Sequence, residues 1–228
     1  MIFFFIINFF FTMLKIYFIG FCHDKNKEAL AKGFEGKIQL ANTIDEADCV
    51  YSGDYFIDTT KYPEKKFMFG PHFSILPSED SNRLSCKYNN AIYIQGCEWT
   101  RKLWVDEFKY TALPIETYSF GIDTDMFKPA IKQNDKVFLY IKQRSLKDIE
   151  FIKTRLAIKR IKYILVEYGK YKVADYLQLM SIAKYGIWIG RHESQGFALQ
   201  EALSCNVPLL VWDVTKMSQE EGSPEYYK

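Results

Sequence analysis

Residues 186–212 read "GIWIGRHESQGFALQEALSCNVPLLVW", and their pattern decides the fold. An apolar run, "GIWIG", ends at a glycine and gives way to a short polar stretch. A helix-like segment, "GFALQEALS", follows, and then a second apolar run, "VPLLVW". Short apolar runs on both sides of one helix are the pattern of a parallel β-α-β unit buried on both faces. Two glutamates, Glu193 and Glu201, are separated by seven residues that include Gly196 and Phe197. The first falls at the tip of the predicted strand and the second on the predicted helix.

The same rhythm runs backward through the chain. "VFLYI" is strand-like, "SLKDIEFIKTRLA" helical, "IKYILVEYG" strand-like and "KVADYLQLMSIAK" helical. Before the polar stretch Met126–Lys136, a first set of runs ("KIYFIGF", "DCVYSG", "KFMFG", "AIYIQG") closes each time on or near glycine. "KNKEALAKGF" reads as a short helix ending at Gly33. "CEWTRKLWVDEF" places Trp99, Leu103 and Phe108 at helical spacing, with a strand-like "IETYSF" after it. This predicts an α/β protein of two Rossmann-like parallel-sheet domains, with ligands bound outside the carboxyl ends of the strands. The domains are drawn as residues 13–128 and 129–228, after an apolar extension over residues 1–12.

Composition narrows the function classes. The formal net charge of +2 gives no electrostatic case for binding nucleic acid. Five cysteines with no C-x-x-C pair suit reduced thiols in a cytoplasmic protein rather than a disulfide framework or a zinc site. The opening "MIFFFIINFFFTMLK" has no basic start and no small-residue cleavage site, so it is a poor signal peptide. Lys15 interrupts it short of the roughly 18 apolar residues expected of a spanning helix. Met13 offers an alternative start, and peripheral membrane association through residues 1–12 stays open.

Elementary chemistry suggests what the glutamate pair could do. Ser194 reads as an N-cap of the helix, and Gly196 would let backbone approach a ligand closely. The start of a helix, with its unpaired N–H groups, suits a diphosphate. A carboxylate repels phosphate, so Glu193 is better matched to sugar hydroxyls and Glu201 to ribose hydroxyls.

Read together, three segments resemble retaining glycosyltransferases of the GT-B fold. "ESQGFALQEALSCNVPLLVWD" is similar to their Glu-x7-Glu donor motif, "SFGIDTDMFKP" to their interdomain segment, and "VFLYIKQRSLKDIEFI" to the opening strand and helix of their nucleotide-binding domain. The segments follow the family's order and cover roughly residues 92–213. The resemblance implies a metal-independent hexosyltransferase that takes a nucleotide diphosphate sugar as substrate, without a further cofactor. It implies sugar contacts from Glu193, donor contacts from Ser194, Gln195, Gly196 and Phe197, and a ribose contact from Glu201. For the diphosphate it implies a basic pair, best matched by Arg144 and Lys147. The family's usual Gly-Arg is "KQR" here, so Lys142 competes for that role. His72, after the strand-like "FMFG", matches a histidine that family members hold near the reacting sugar. "DTD" at Asp123–Asp125 looks like a metal motif of the other main glycosyltransferase fold, but within this segment it reads as turn chemistry.

Two departures qualify the match. The first domain lacks the glycine-rich loop common in the family, having only Gly20 after its first strand. The second domain would be expected to add another strand and a closing helix after "VPLLVWD", so a truncated second domain is expected. Neither the acceptor (a glycan, lipid or protein) nor the donor's base and sugar is specified by the sequence. Alternatives on the same architecture are a nucleotide-sugar epimerase or phosphorylase, and an inactive nucleotide-sugar or glycan-binding module. A dinucleotide oxidoreductase is disfavoured, because no G-x-G-x-x-G follows any predicted strand.

Overall fold

The computed structural model describes residues 13–54, 56–72, 90–107, 113–130, 135–216 and 219–220. The apolar residues 1–12 and Phe108 lie outside this set. The chain divides into two compact units, Met1–Gly121 and Ile122–Lys228. Ile122 and Phe127, assigned to the first domain in the sequence reading, pack into a core of the second unit.

In the first unit, β1 (Leu14–Ile19), β2 (Ile38–Leu40), β3 (Cys49–Ser52), β4 (Lys66–Phe69), β5 (Ala91–Gln95) and β6 (Ile115–Thr117) form one sheet of order β2-β1-β3-β4-β5-β6. Every pairing in it is parallel. Parallel neighbours need a crossover, and helix α1 (Asp24–Gly33) supplies the one between β1 and β2. The three-residue β2 carries too little apolar signal to be read from sequence. Helix α2 (Glu98–Lys102) continues into a π-helical turn over Leu103–Glu107. This segment buries Thr100 and Trp104, both at most 1% exposed, and leaves Trp99 42% exposed. Trp104 therefore anchors the segment in place of the expected Trp99, and its ring packs 4.9 Å from that of Tyr93.

The second unit shows why its sequence alternates so regularly. Strands β7 (Lys136–Ile141), β8 (Ile164–Glu167), β9 (Ala183–Ile189) and β10 (Leu209–Val211) form a parallel sheet of order β10-β9-β7-β8. Helices α3 (Leu146–Ile158), α4 (Val173–Ile182) and α5 (Phe197–Ser204) link them. Side chains alternate across a strand, so each central strand serves two cores. Val137, Leu139, Ile187 and Ile189 pack with Leu156 of α3. Phe138, Tyr140 and Trp188 pack with α4 and α5 residues such as Met180 and Ala202. Gly186 is paired with Phe138, and a β-carbon there would fall 2.2 Å from Phe138 Cζ. The next pair on that face, Tyr140 and Trp188, stacks its rings with centroids 3.7 Å apart.

All four strands point the same way, so the loops that follow them gather at one edge. Lys142–Ser145 follow β7, Tyr168–Lys172 follow β8, Gly190–Gly196 follow β9, and Trp212 follows β10. Among the described residues, no helix is long and apolar enough to cross a membrane.

Candidate functional site

Glu193 lies in the loop that β9 delivers. Lys142, the first residue beyond β7, holds its carboxylate with both oxygens, Nζ donating to Oε1 at 3.0 Å and to Oε2 at 2.7 Å. Both side chains are mostly buried, at 16% and 19% exposed, which strengthens the pair relative to a surface one. The backbone N–H of Lys142 donates to Ile189 O, and its ammonium sits 4.5 Å from the centre of the Tyr168 ring. Lys142 is therefore the cation that the geometry brings to Glu193.

Two glycines shape the loop around this carboxylate. A β-carbon on Gly190 would meet Trp188 Nε1 at 2.7 Å and Glu193 Oε1 at 3.7 Å. Gly196 has φ 69° and ψ 55°, and a β-carbon on it would lie 3.2 Å from Glu193 Cβ. Left-handed backbone beside a packed side chain is a position suited to glycine. Gly196, rather than Ser194, is the N-cap of α5, and no side chain caps that helix. The expected Ser194 cap fails because the left-handed turn at Gly196 starts the helix later. Gln195 contributes its carbonyl to Gln200 Nε2 at 2.5 Å, and Phe197 opens the helix.

Glu201 departs from an ordinary helix glutamate, for it is only 3% exposed. Its charge acts on two phenols of the adjoining elements. Burial pushes Tyr171 up to about 12, with Glu201 adding to the rise. Tyr176 is raised further, again chiefly by burial, and donates to Ala198 O at 2.7 Å. A buried carboxylate is costly without a specific environment.

Arg144 is placed differently from its expected role. It is fully buried, and its guanidinium is engaged with protein on three sides. Asp148 of α3 takes Nη2 at 2.9 Å and Nε at 3.3 Å. Nη1 donates to Gly190 O and to Trp212 O, both at 3.0 Å. Arg144 thus ties together the ends of β7, β9 and β10 and the first turn of α3. Lys147 is exposed on that same turn.

The sequence reading missed a second cluster at this edge. Glu220, 6% exposed, accepts from the backbone N–H of His192 at 2.6 Å and lies 2.5 Å from His192 Nδ1. Its other oxygen is 3.5 Å from Arg191 Nη2, and Arg191 Nη1 donates to Gln143 Oε1. Arg144 and Glu220 also form an isolated antiparallel bridge. Glu220 stands in a polar segment with no periodicity, which left no signal to find it.

In the first unit, His72 sits at the carboxyl edge of the sheet, just after β4. Its backbone N–H donates to Gly53 O, in the loop after β3. Burial holds its imidazole below the ordinary value of 6.5, His23 reinforces this, and Asp54 opposes it. A histidine with a depressed pKa binds fewer protons folded than unfolded, so stability rises with pH through the window between the two values. Acidification below about 6.5 should therefore destabilise the protein. Melting temperatures of wild type and His72→Gln between pH 8 and 5 check this, and the variant should show the flatter profile.

Asp123 does the turn chemistry expected of it, accepting from the N–H groups of Asp125 and Met126 at 2.9 and 3.0 Å. Among the described residues, no group of three or more His, Cys, Asp or Glu side chains is arranged to hold a metal ion. Neither protein-family models nor curated proteins give a match to this chain, so its function has to be argued from these residues.

Proposed function

We propose that the protein is a retaining, metal-independent glycosyltransferase of the GT-B type, moving a hexose from a nucleotide diphosphate sugar to an acceptor hydroxyl. One observation carries the reading. Two largely buried carboxylates, Glu193 and Glu201, flank the uncapped start of α5 at the carboxyl edge of a parallel sheet, with Lys142 beside the first. Such an edge is where doubly wound α/β sheets bind ligands.

The roles follow from charge. Departure of a nucleoside diphosphate builds negative charge, which Lys142 and the N–H groups of α5 would stabilise. Glu193 would accept from hexose hydroxyls and Glu201 from the ribose, while Ser194, Gln195, Gly196 and Phe197 would line the donor. Arg144 would act on the site only through Gly190 and Trp212, and Lys147 would contribute from the surface. The acceptor, whether glycan, lipid or protein, is left undefined.

The test is to incubate the chain with UDP-, GDP- and ADP-sugars and a panel of simple glycosides, following the anomeric proton of any product by NMR. A product that keeps the donor's anomeric configuration, together with release of nucleoside diphosphate, supports the reading. A product of inverted configuration, or an epimerised donor with no transfer, contradicts it.

A further inference from the structure

Two segments at the carboxyl edge of the first sheet, one after β1 and one after β3, meet at His72. The loop after β3 holds its backbone through Gly53 O, and Phe21, after β1, packs edge-on with centroids 5.5 Å apart. The third contact is chemical. Nε2 of His72 faces the start of α1, where Asn26 Nδ2 lies at 2.9 Å and the backbone N–H of His23 approaches at 3.5 Å.

These partners determine where the ring proton sits. An amide side chain could offer either its oxygen or its nitrogen, so Asn26 by itself does not place the proton. The backbone N–H of His23 has no such freedom, since it can only donate. Nε2 must therefore present its lone pair, and in a neutral ring the proton is on Nδ1. Among the described residues, Nδ1 has no hydrogen-bond partner.

The surroundings also keep the ring neutral. Burial disfavours the charged ring, and His23, with its ring centroid 6.4 Å away, adds to this. His23 accepts the N–H of Lys25 on its own Nδ1 and so caps α1. Asp54, after β3, is the opposing charge, and its side chain is engaged by the N–H of Phe21 at 3.0 Å.

We propose that His72 works as a neutral hydrogen-bond donor through Nδ1–H, and that Asn26 is a positioning residue that reinforces the tautomer set by the N–H of His23. The ligand atom it takes is an acceptor oxygen, from a hydroxyl or a phosphate. A general-base role is excluded, because the only lone-pair nitrogen is turned into α1. The inference rests on the transferase reading only for the identity of that oxygen.

The experiment is long-range ¹H–¹⁵N NMR of the histidine rings near pH 7 in the ligand-free chain, with His72→Gln used to assign the signals. The wild type should show a protonated Nδ1 and an unprotonated Nε2 at His72. In Asn26→Ala the two tautomers should mix. In Asn26→Asp the new carboxylate should draw the proton to Nε2 and raise the pH at which the ring titrates. A wild-type proton on Nε2, an imidazolium at this pH, or a tautomer unchanged in both Asn26 variants would overturn the proposal. Should Asn26→Ala fail to fold, the wild-type spectrum and Asn26→Asp still decide it. Nucleotide sugars play no part in the measurement, so its failure and that of the transferase reading remain distinguishable.

Discussion

Arg144→Met is expected to lower the stability of the second unit by about 3–5 kcal/mol, the usual cost of removing one partner from a buried ion pair. The change strips Asp148 of its cation and leaves the carbonyls of Gly190 and Trp212 without their donor. It should appear in a thermal melt as a drop on the order of 10 °C or more. Arg144→Lys should recover little, because an ammonium cannot span a carboxylate and two carbonyls on separate strands. A melt close to wild type, with nucleotide binding lost, would mean that the guanidinium faces a ligand rather than the fold.

The second large effect concerns the pair at the sheet edge. Lys142→Met should weaken nucleoside diphosphate binding by about 10–100-fold, the value of a hydrogen bond to a charged group. Glu193→Gln should leave that binding nearly intact, since it removes the carboxylate that engages Lys142 in the free protein. It should instead lower kcat/KM for transfer by about 10–100-fold through lost sugar contacts. Because the two side chains touch, the double variant should not be additive, with a coupling of about 0.5–3 kcal/mol. Calorimetric titration of nucleoside diphosphate into the three variants checks binding, and initial rates check transfer.

Much of the architecture was legible in the sequence because the central strands of the second sheet, β7 and β9, are largely buried on both faces. Runs such as "VFLYI" and "GIWIG" are nearly continuous in apolar residues, and parallel strands read that way. The short β2 escaped because three residues, two of them exposed, carry no periodic signal. Trp104 escaped because the helix continues as a π-helical turn, which changes the face it buries.

The candidate site was legible in part. Glu193 and Gly196 fall in the loop after β9 and Glu201 on α5, where the pattern placed them, but the burial of Glu201 could not be read from a helix position alone. Arg144 illustrates the opposite problem. An arginine two residues past a strand can face a ligand or fold back onto neighbouring strand ends, and sequence does not distinguish these. The choice here is set by Asp148, Gly190 and Trp212, which lie four, 46 and 68 residues away along the chain. Asn26 and Glu220 were missed for the same reason, since their partners His72 and His192 are 46 and 28 residues distant.

The central claim is that the two glutamates frame a nucleotide-sugar site, and ligand-induced stabilisation tests it most directly. Thermal melts of wild type and Glu201→Gln should be recorded with UDP, GDP and ADP and with their sugar conjugates. A ligand at about 100 times its Kd adds about 2.7 kcal/mol, worth roughly 5–10 °C at about 2–4 °C per kcal/mol. The account predicts such a shift with one nucleotide class and its loss in Glu201→Gln. A shift of equal size in wild type and Glu201→Gln, or none with any nucleotide, would contradict it.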